Sequence, residues 1–217
     1  MNTFVTAEIG TNWNGDIFKL RRMVHECKYA GCDAVKFQVL SDEKIARHPE
    51  LSWYCNASVH KYNVDDIADI CWREDIQWYA SIYYPKAIKE LKLEKYCDYV
   101  KVSVGSNQDK DILSACAQSK LKTIVSSTRP FSGDCINLYC IPQYPTMYGE
   151  INYDMVKQFD GYSNHCLNPL ATLNMVRRGA KYIEFHVTED RDTFAVDNKC
   201  AYTMQEMKDL MYWVRNV

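Results

Sequence analysis

The strongest constraint in this sequence is an alternation. Near-continuous apolar runs occur at 4–9, 34–39, 76–83, 99–104, 123–127, 136–141, 162–165 and 181–187, and helical or turn segments separate them. Continuous apolar strands separated by amphipathic helices specify a parallel sheet covered on its outer face. The helical periods are explicit. Asp16 can cap a helix in which Ile17, Leu20, Val24, Cys27 and Ala30 recur on one face before Gly31 ends it. Pro85 and Pro169 open helices at 85–91 and 169–179, and further helices are expected at 64–73, 109–119, 153–159 and 204–216. The stretch 41–62, with Pro49 and Asn56, reads as a long loop with at most a short helical turn. Between the fifth and sixth runs, Arg129-Pro130-Phe131-Ser132-Gly133-Asp134 is too short for a helix of normal length. Eight units of this kind predict an α/β fold, a compact (β/α)8 barrel whose helix after strand five is missing or reduced. An open doubly wound sheet is the competing topology, but the chain has no Gly-x-Gly-x-x-Gly turn. With no linker or shift in composition, residues 1–217 read as one domain.

Charge and cysteine usage narrow the classes further. With 25% charged and 47% hydrophobic residues the chain is globular rather than disordered. Its formal net charge of −2, with no block of five like charges, argues against a nucleic-acid or membrane-surface arm. No apolar run is long enough to span a bilayer, and the N-terminus lacks the pattern of a signal peptide. The ten cysteines include no Cys-x-x-Cys pair, and several sit inside periodic apolar segments. Reduced thiols in a cytoplasmic protein are therefore expected.

In such a barrel the chemistry lies at the C-terminal ends of the strands. That rule selects Glu8; Lys36 and Gln38; Ser81 and Tyr83; Lys101 and Ser103; Ser126, Ser127 and Thr128; Gln143 and Tyr144; Ser163, Asn164 and His165; and Glu184 and His186. Lys36 with Gln38 and Glu184 with His186 share the two-residue spacing that points both members inward. Inward lysines need anionic partners. Either Lys36 and Lys101 pair with Glu8 and Glu184 as structural ion pairs, or they hold a phosphate or carboxylate with help from hydroxyls. His165 and His186, on adjacent strands, suit a divalent metal with open positions, or they are satisfied core histidines.

Five segments, in order, resemble the sialic acid synthase family, which makes N-acetylneuraminate, legionaminate and pseudaminate. They are Ala7-Glu8-Ile9-Gly10-Thr11-Asn12-Trp13-Asn14-Gly15-Asp16; Gly31-Cys32-Asp33-Ala34-Val35-Lys36-Phe37-Gln38; Tyr144-Pro145-Thr146; Gly161-Tyr162-Ser163-Asn164-His165; and Gly179-Ala180 followed by Ile183-Glu184-Phe185-His186-Val187-Thr188. The resemblance implies a (β/α)8 barrel that condenses phosphoenolpyruvate with an open-chain N-acylated amino sugar or related aldose, using a divalent metal such as Mn2+ or Mg2+. It implies His165 and His186 as metal ligands, and Lys36 and Lys101 as holding phosphoenolpyruvate with Ser127 and Ser163. Gln38, Tyr144 and Asp197 match sugar contacts, and Glu8 matches a water-orienting or basic position.

Departures from the pattern leave two other readings open. The family's C-terminal antifreeze-like domain has no counterpart in these 217 residues; Ile82 stands where the family has threonine; Val104 and Ser106 replace a serine and a glutamate; and Phe185 replaces a lysine. The alternatives are a barrel acting on another aldehyde or phosphorylated substrate, and a non-catalytic sugar- or phosphate-binding relative. The missing fifth helix is also expected to bare an apolar strip near Ile124 and Ile136, a patch that would seek a second copy of the chain in a homodimer.

Overall fold

The computed structural model describes residues 3–46, 52–192, 195 and 197–216. Eight parallel strands pair in chain order: β1 (Phe4–Gly10), β2 (Ala34–Val39), β3 (Gln77–Ile82), β4 (Tyr99–Val102), β5 (Lys122–Ser127), β6 (Ile136–Cys140), β7 (Gly161–Asn164) and β8 (Tyr182–Thr188). β1 also pairs with β8, from Phe4 against Tyr182 to Glu8 against His186, which closes the barrel. A short β9 (Tyr202–Thr203) extends the end of β8. The outer helices are α1 (Ile17–Tyr29), α2 (Asp42–Ala46), α3 (Ser52–Ala57), α4 (Val64–Arg73), α5 (Ala87–Glu90), α6 (Lys110–Gln118), α7 (Pro169–Arg177) and α8 (Met204–Arg215). No helix among the described residues is long and apolar enough to cross a membrane.

Local signals explain where these elements begin and what they cover. The Asp16 carboxylate accepts from the Phe18 and Lys19 amides, so α1 starts there and buries Leu20, Met23, Val24 and Cys27 against the barrel. The α8 start is a reciprocal cap, with Glu206 N–H donating to Thr203 Oγ1 and Thr203 N–H to the Glu206 carboxylate. At its far end the Arg215 guanidinium donates to the carbonyls of Thr3 and Gly31 and to the Asp33 carboxylate. Asp33 in turn accepts from the Val5 amide at 2.7 Å. The last helix is thereby tied to the first two strands at the bottom of the barrel.

Inside, the inward positions change character from bottom to top. Phe4, Tyr79, Tyr99 and Tyr182 pack with tilted rings at the base, contacting centroids lying 5.7–5.8 Å apart. The Tyr79 hydroxyl donates to Thr6 Oγ1 within this layer. Further up the interior stand Lys101 and Glu184, one inward step above Tyr99 and Tyr182, with Glu8 on β1 and Lys36 on β2, and above them the interior becomes a polar cavity. The apolar floor keeps water out of the charged layer from below.

Several sequence expectations change. β4 ends at Val102, so Ser103 and Val104 belong to the following turn. The 153–159 helix is instead a 3-10 segment (Tyr153–Gln158), started by Asn152 accepting from the Asp154 amide. The 41–62 loop contains the short helices α2 and α3; its Pro49 lies outside the described residues. No helix follows β5, as expected, yet no bare apolar strip results. Ile124 is 1% exposed, and Phe131 and Cys135 from the turn pack against the core beside a half-buried Ile136. The Phe131 amide donates to Asn137 Oδ1, folding the turn back over the wall. The motive for a homodimer through this strip is removed. All ten cysteines are free thiols.

Two outcomes follow. A Cβ on Gly161 would stand 1.9 Å from the Tyr182 carbonyl oxygen across β7–β8; Gly161→Ala should cost about 3 kcal/mol or more in urea denaturation, because backbone must move. The Arg191 guanidinium holds the Glu206 carboxyl below its ordinary pKa. A depressed carboxyl stabilises the fold above its unfolded pKa of about 4.3 and loses that contribution as the pH falls through the folded value. Glu206→Gln keeps the helix cap and removes the ion pair, so its small melting deficit at pH 7 should close below about pH 4; a deficit constant with pH would refute the assignment.

Candidate active site

The inward strand ends surround a cavity of about 280 Å3 at the C-terminal mouth of the barrel. Its floor is a charge network. Lys101 Nζ stands 2.7 Å from Glu184 Oε2, and Lys36 Nζ 3.4 Å from Glu184 Oε1. Lys36 also pairs with Glu8 and donates to Ser81 Oγ at 2.7 Å, while the Ser163 hydroxyl donates to Glu184 Oε1 at 3.1 Å. Burial disfavours ionisation of Glu184, but Lys101 and Lys36 outweigh it and hold the carboxyl well below the usual carboxylate range. Burial likewise works against Lys36, yet Glu184 and Glu8 keep its ammonium charged. For Glu8 burial dominates and pushes the carboxyl up to about 8, against the pull of Lys36. Burial also lowers the Lys101 pKa, with Glu184 opposing it. The floor thus sets two lysines against two carboxylates, of which Glu184 is held the more firmly ionised.

Above the floor stand two neutral imidazoles. His165 and His186 lie with ring centroids 5.3 Å apart, and Tyr144 stacks on His165 at 3.9 Å. Burial lowers both imidazole pKa values to about 3. His165 Nδ1 lies 2.9 Å from the Ile141 carbonyl, which assigns the proton to Nδ1 and leaves the Nε2 lone pair open. Among the described residues His186 Nδ1 is buried without a hydrogen-bond partner, with Asp197 Oδ2 3.9 Å away. Gln38 Nε2 donates to that same Asp197 oxygen at 3.2 Å. Two uncharged imidazoles with open nitrogens, beside a carboxylate, fit a borderline divalent cation. Among the described residues no three His, Cys, Asp or Glu side chains are assembled to hold one unaided.

The structure brings most of the sequence candidates together. Lys36, Gln38, Lys101, Tyr144, Ser163, His165, His186 and Asp197 all line the cavity. Glu8 does not; it is fully buried, level with Lys36 in the β1–β2 register, and pairs with that lysine. Ser127 is not brought in either. Its hydroxyl donates to the Arg129 carbonyl at 2.6 Å, and Ser126 lines the cavity in its place. The reason is facing: Lys101 is in register with Ile124, so the inward positions of β5 are 124 and 126. The same parity removes the concern over Ile82, which lies off the cavity while Ser81 supplies an inward hydroxyl. Cys140 and Glu184 also line it, Cys140 with its sulfur 4.0 Å from His165 Nδ1. Counting Cys140 in steps of two from Leu138 along β6 would have found it.

Comparison with known proteins gives a family and matching folds. The sequence profile of the NeuB family matches residues 23–131 and 129–217. The chain is 26% identical to the N,N'-diacetyllegionaminic acid synthase of Legionella pneumophila, over 100% of this chain and 72% of that protein. It is 24% identical to the N-acetylneuraminate-9-phosphate synthase of Drosophila melanogaster, over 99% of this chain and 68% of that protein. Among solved structures, the N-acetylneuraminic acid synthetase of Leptospira borgpetersenii superposes with a TM-score of 0.88 at 23% identity, covering 100% of this chain and 84% of that one.

The floor network predicts its own energetics. Removing one partner of a buried ion pair costs about 3–5 kcal/mol, whereas replacing both with apolar groups is nearly neutral. Lys101→Met should therefore lower stability by about 3 kcal/mol or more in urea unfolding, and adding Glu184→Leu should recover part of the loss. Strictly additive losses would show that the two residues are not energetically coupled.

Proposed function

The chain belongs to the NeuB family, and on that premise we propose that it is a sialic-acid-type synthase condensing phosphoenolpyruvate with an open-chain N-acylated amino sugar or related aldose. The observation that carries this reading is the stacking of two layers. A floor of two lysines sharing Glu184 suits a small polyanion, and directly above it two neutral histidines sit beside a carboxylate.

Lys36 and Lys101 meet the carboxylate and phosphate of phosphoenolpyruvate, with the hydroxyls of Ser81, Ser126 and Ser163 around them. His165 and His186 would hold the divalent cation, Mn2+ or Mg2+, which when bound supplies Lewis acidity toward the acceptor aldehyde. Gln38, Asp197 and Tyr144 stand on the same side of the cavity and suit the hydroxyls and face of the acceptor. In the reaction the C3 carbon of phosphoenolpyruvate uses its enol π electrons to form a bond to the aldehyde carbon, and the aldehyde oxygen gains a proton. Water adds to C2, its surplus proton leaves, and the bond from C2 to the phosphate oxygen breaks, giving a 3-deoxy-2-keto acid and inorganic phosphate. The lysines stabilise the anionic charge on phosphate as it departs. Glu8 keeps the Lys36 ammonium in place throughout.

The test is phosphate release from phosphoenolpyruvate with Mn2+ across a panel of N-acylated hexosamines and simpler aldoses, with product masses recorded. Acceptor-dependent release with a condensed product is expected. His165→Gln and His186→Gln should each bring that release to background and weaken Mn2+ binding in calorimetry. Mn2+ affinity unchanged in the double variant would overturn the ligand assignment, and no release with any acceptor would overturn the reaction.

A further inference from the structure

We infer that Tyr83, held by Ser103, is a binding residue for the anionic substrate, donating its phenol hydroxyl to the group that Lys36 holds. This rests on the anion-binding reading of the cavity given above.

The case begins with a shortage of donors. An ammonium has three N–H bonds, and those of Lys36 already face Glu8, Glu184 and Ser81. Lys101 is committed to Glu184. A polyanion arriving at this floor must share donors that are in use, so neutral hydroxyls set around the lysines decide how well its remaining lone pairs are met.

Tyr83 is placed to supply one. β3 ends at Ile82, but the Tyr83 amide still donates to the Val39 carbonyl at 3.1 Å, so the chain keeps its strand path for one more residue. Tyr83 therefore faces the same way as Ser81, whose hydroxyl contacts Lys36, and it lines the same cavity. Its ring packs against Leu40 just past the end of β2, which fixes where the hydroxyl points. The hydroxyl shares a hydrogen bond with Ser103 and lies near the Lys36 ammonium. Burial pushes the phenol up to about 12, so it is a protonated donor at neutral pH. Ser103 stands two residues beyond Lys101, in the relation that Tyr83 has to Ser81. The next two lining residues, Val104 and Gly105, have no polar side chain. On this side of the cavity the Tyr83–Ser103 pair supplies the hydroxyls.

The experiment is calorimetric titration of the full chain, without acceptor, using phosphoenolpyruvate and inorganic phosphate as separate probes. Tyr83→Phe keeps the ring and its packing on Leu40, so its melting temperature should match the parent. Its Kd for both probes should rise about tenfold, the loss of one hydrogen bond to a charged group. Ser103→Ala, which frees the phenol without removing it, should lose affinity by about threefold. In turnover, Tyr83→Phe should raise the phosphoenolpyruvate KM far more than it lowers kcat, a split that a merely structural role would not give. An unchanged Kd in Tyr83→Phe overturns the inference. If the parent binds phosphate and not phosphoenolpyruvate, the proposed reaction falls while the phosphate titration still decides Tyr83. A parent that binds neither overturns both.

Discussion

One carboxylate organises this barrel. Glu184 on β8 accepts from Lys101, rising from β4 on the far side of the barrel, and stands near Lys36 on β2. Three strands distant in the sheet order are thus tied at a single point inside the closed cylinder. Desolvation of charged groups is expensive, and the pairing repays it only if each group has hydrogen-bonding partners and little room to move. Ser163 on Glu184 and Ser81 on Lys36 supply those partners, and the aromatic layer of Phe4, Tyr79, Tyr99 and Tyr182 seals the network from below. Lys36, Lys101 and Glu184 face the cavity on the other side.

Of the two readings of Lys36 and Lys101 that the sequence leaves open, the structure shows the internal pairing, and it leaves the paired lysines facing a cavity. Glu8 is fully buried and does not line the cavity, whereas Glu184 does. Glu8 is in register with Lys36 on one side and His186 on the other, and its carboxylate lies against Gly10, where a Cβ would crowd it.

Much of this is legible in the sequence, and the illegible part has a physical pattern. Strand existence and inward pairs such as Lys36 with Gln38 and Glu184 with His186 follow from near-continuous apolar runs and a period of two. What fails is parity wherever a strand carries adjacent polar residues. In Ser126-Ser127 both members are serine, and only the alignment of β5 with β4 tells which faces inward. Ile82 looks like a lost hydroxyl until the same parity turns it outward and Ser81 inward. Ser103 and Tyr83 lie beyond the ends of their ladders, where strand periodicity no longer predicts facing, and only backbone path and packing settle it. Asp197 comes from a loop with no period at all, so only resemblance to a known family pointed to it.

The outer wall obeys looser rules than the inner one. Closing the cylinder needs all eight strands in register, since one missing strand would leave two unpaired edges. A helix is only one way to cover the outer face of a strand pair. Over β5 and β6 the turn at 128–135 does so with Phe131 and Cys135, and between β6 and β7 short 3-10 segments take the place of a helix. Asp160 fixes this region by accepting from the Asn137 amide at the start of β6. Because the floor and histidine layer come from strands and strand ends, shortening the helices leaves their positions untouched. A barrel of 217 residues can therefore lose outer covering segment by segment and keep the geometry of its mouth, provided each lost helix is replaced by something apolar enough to keep the strand backs dry.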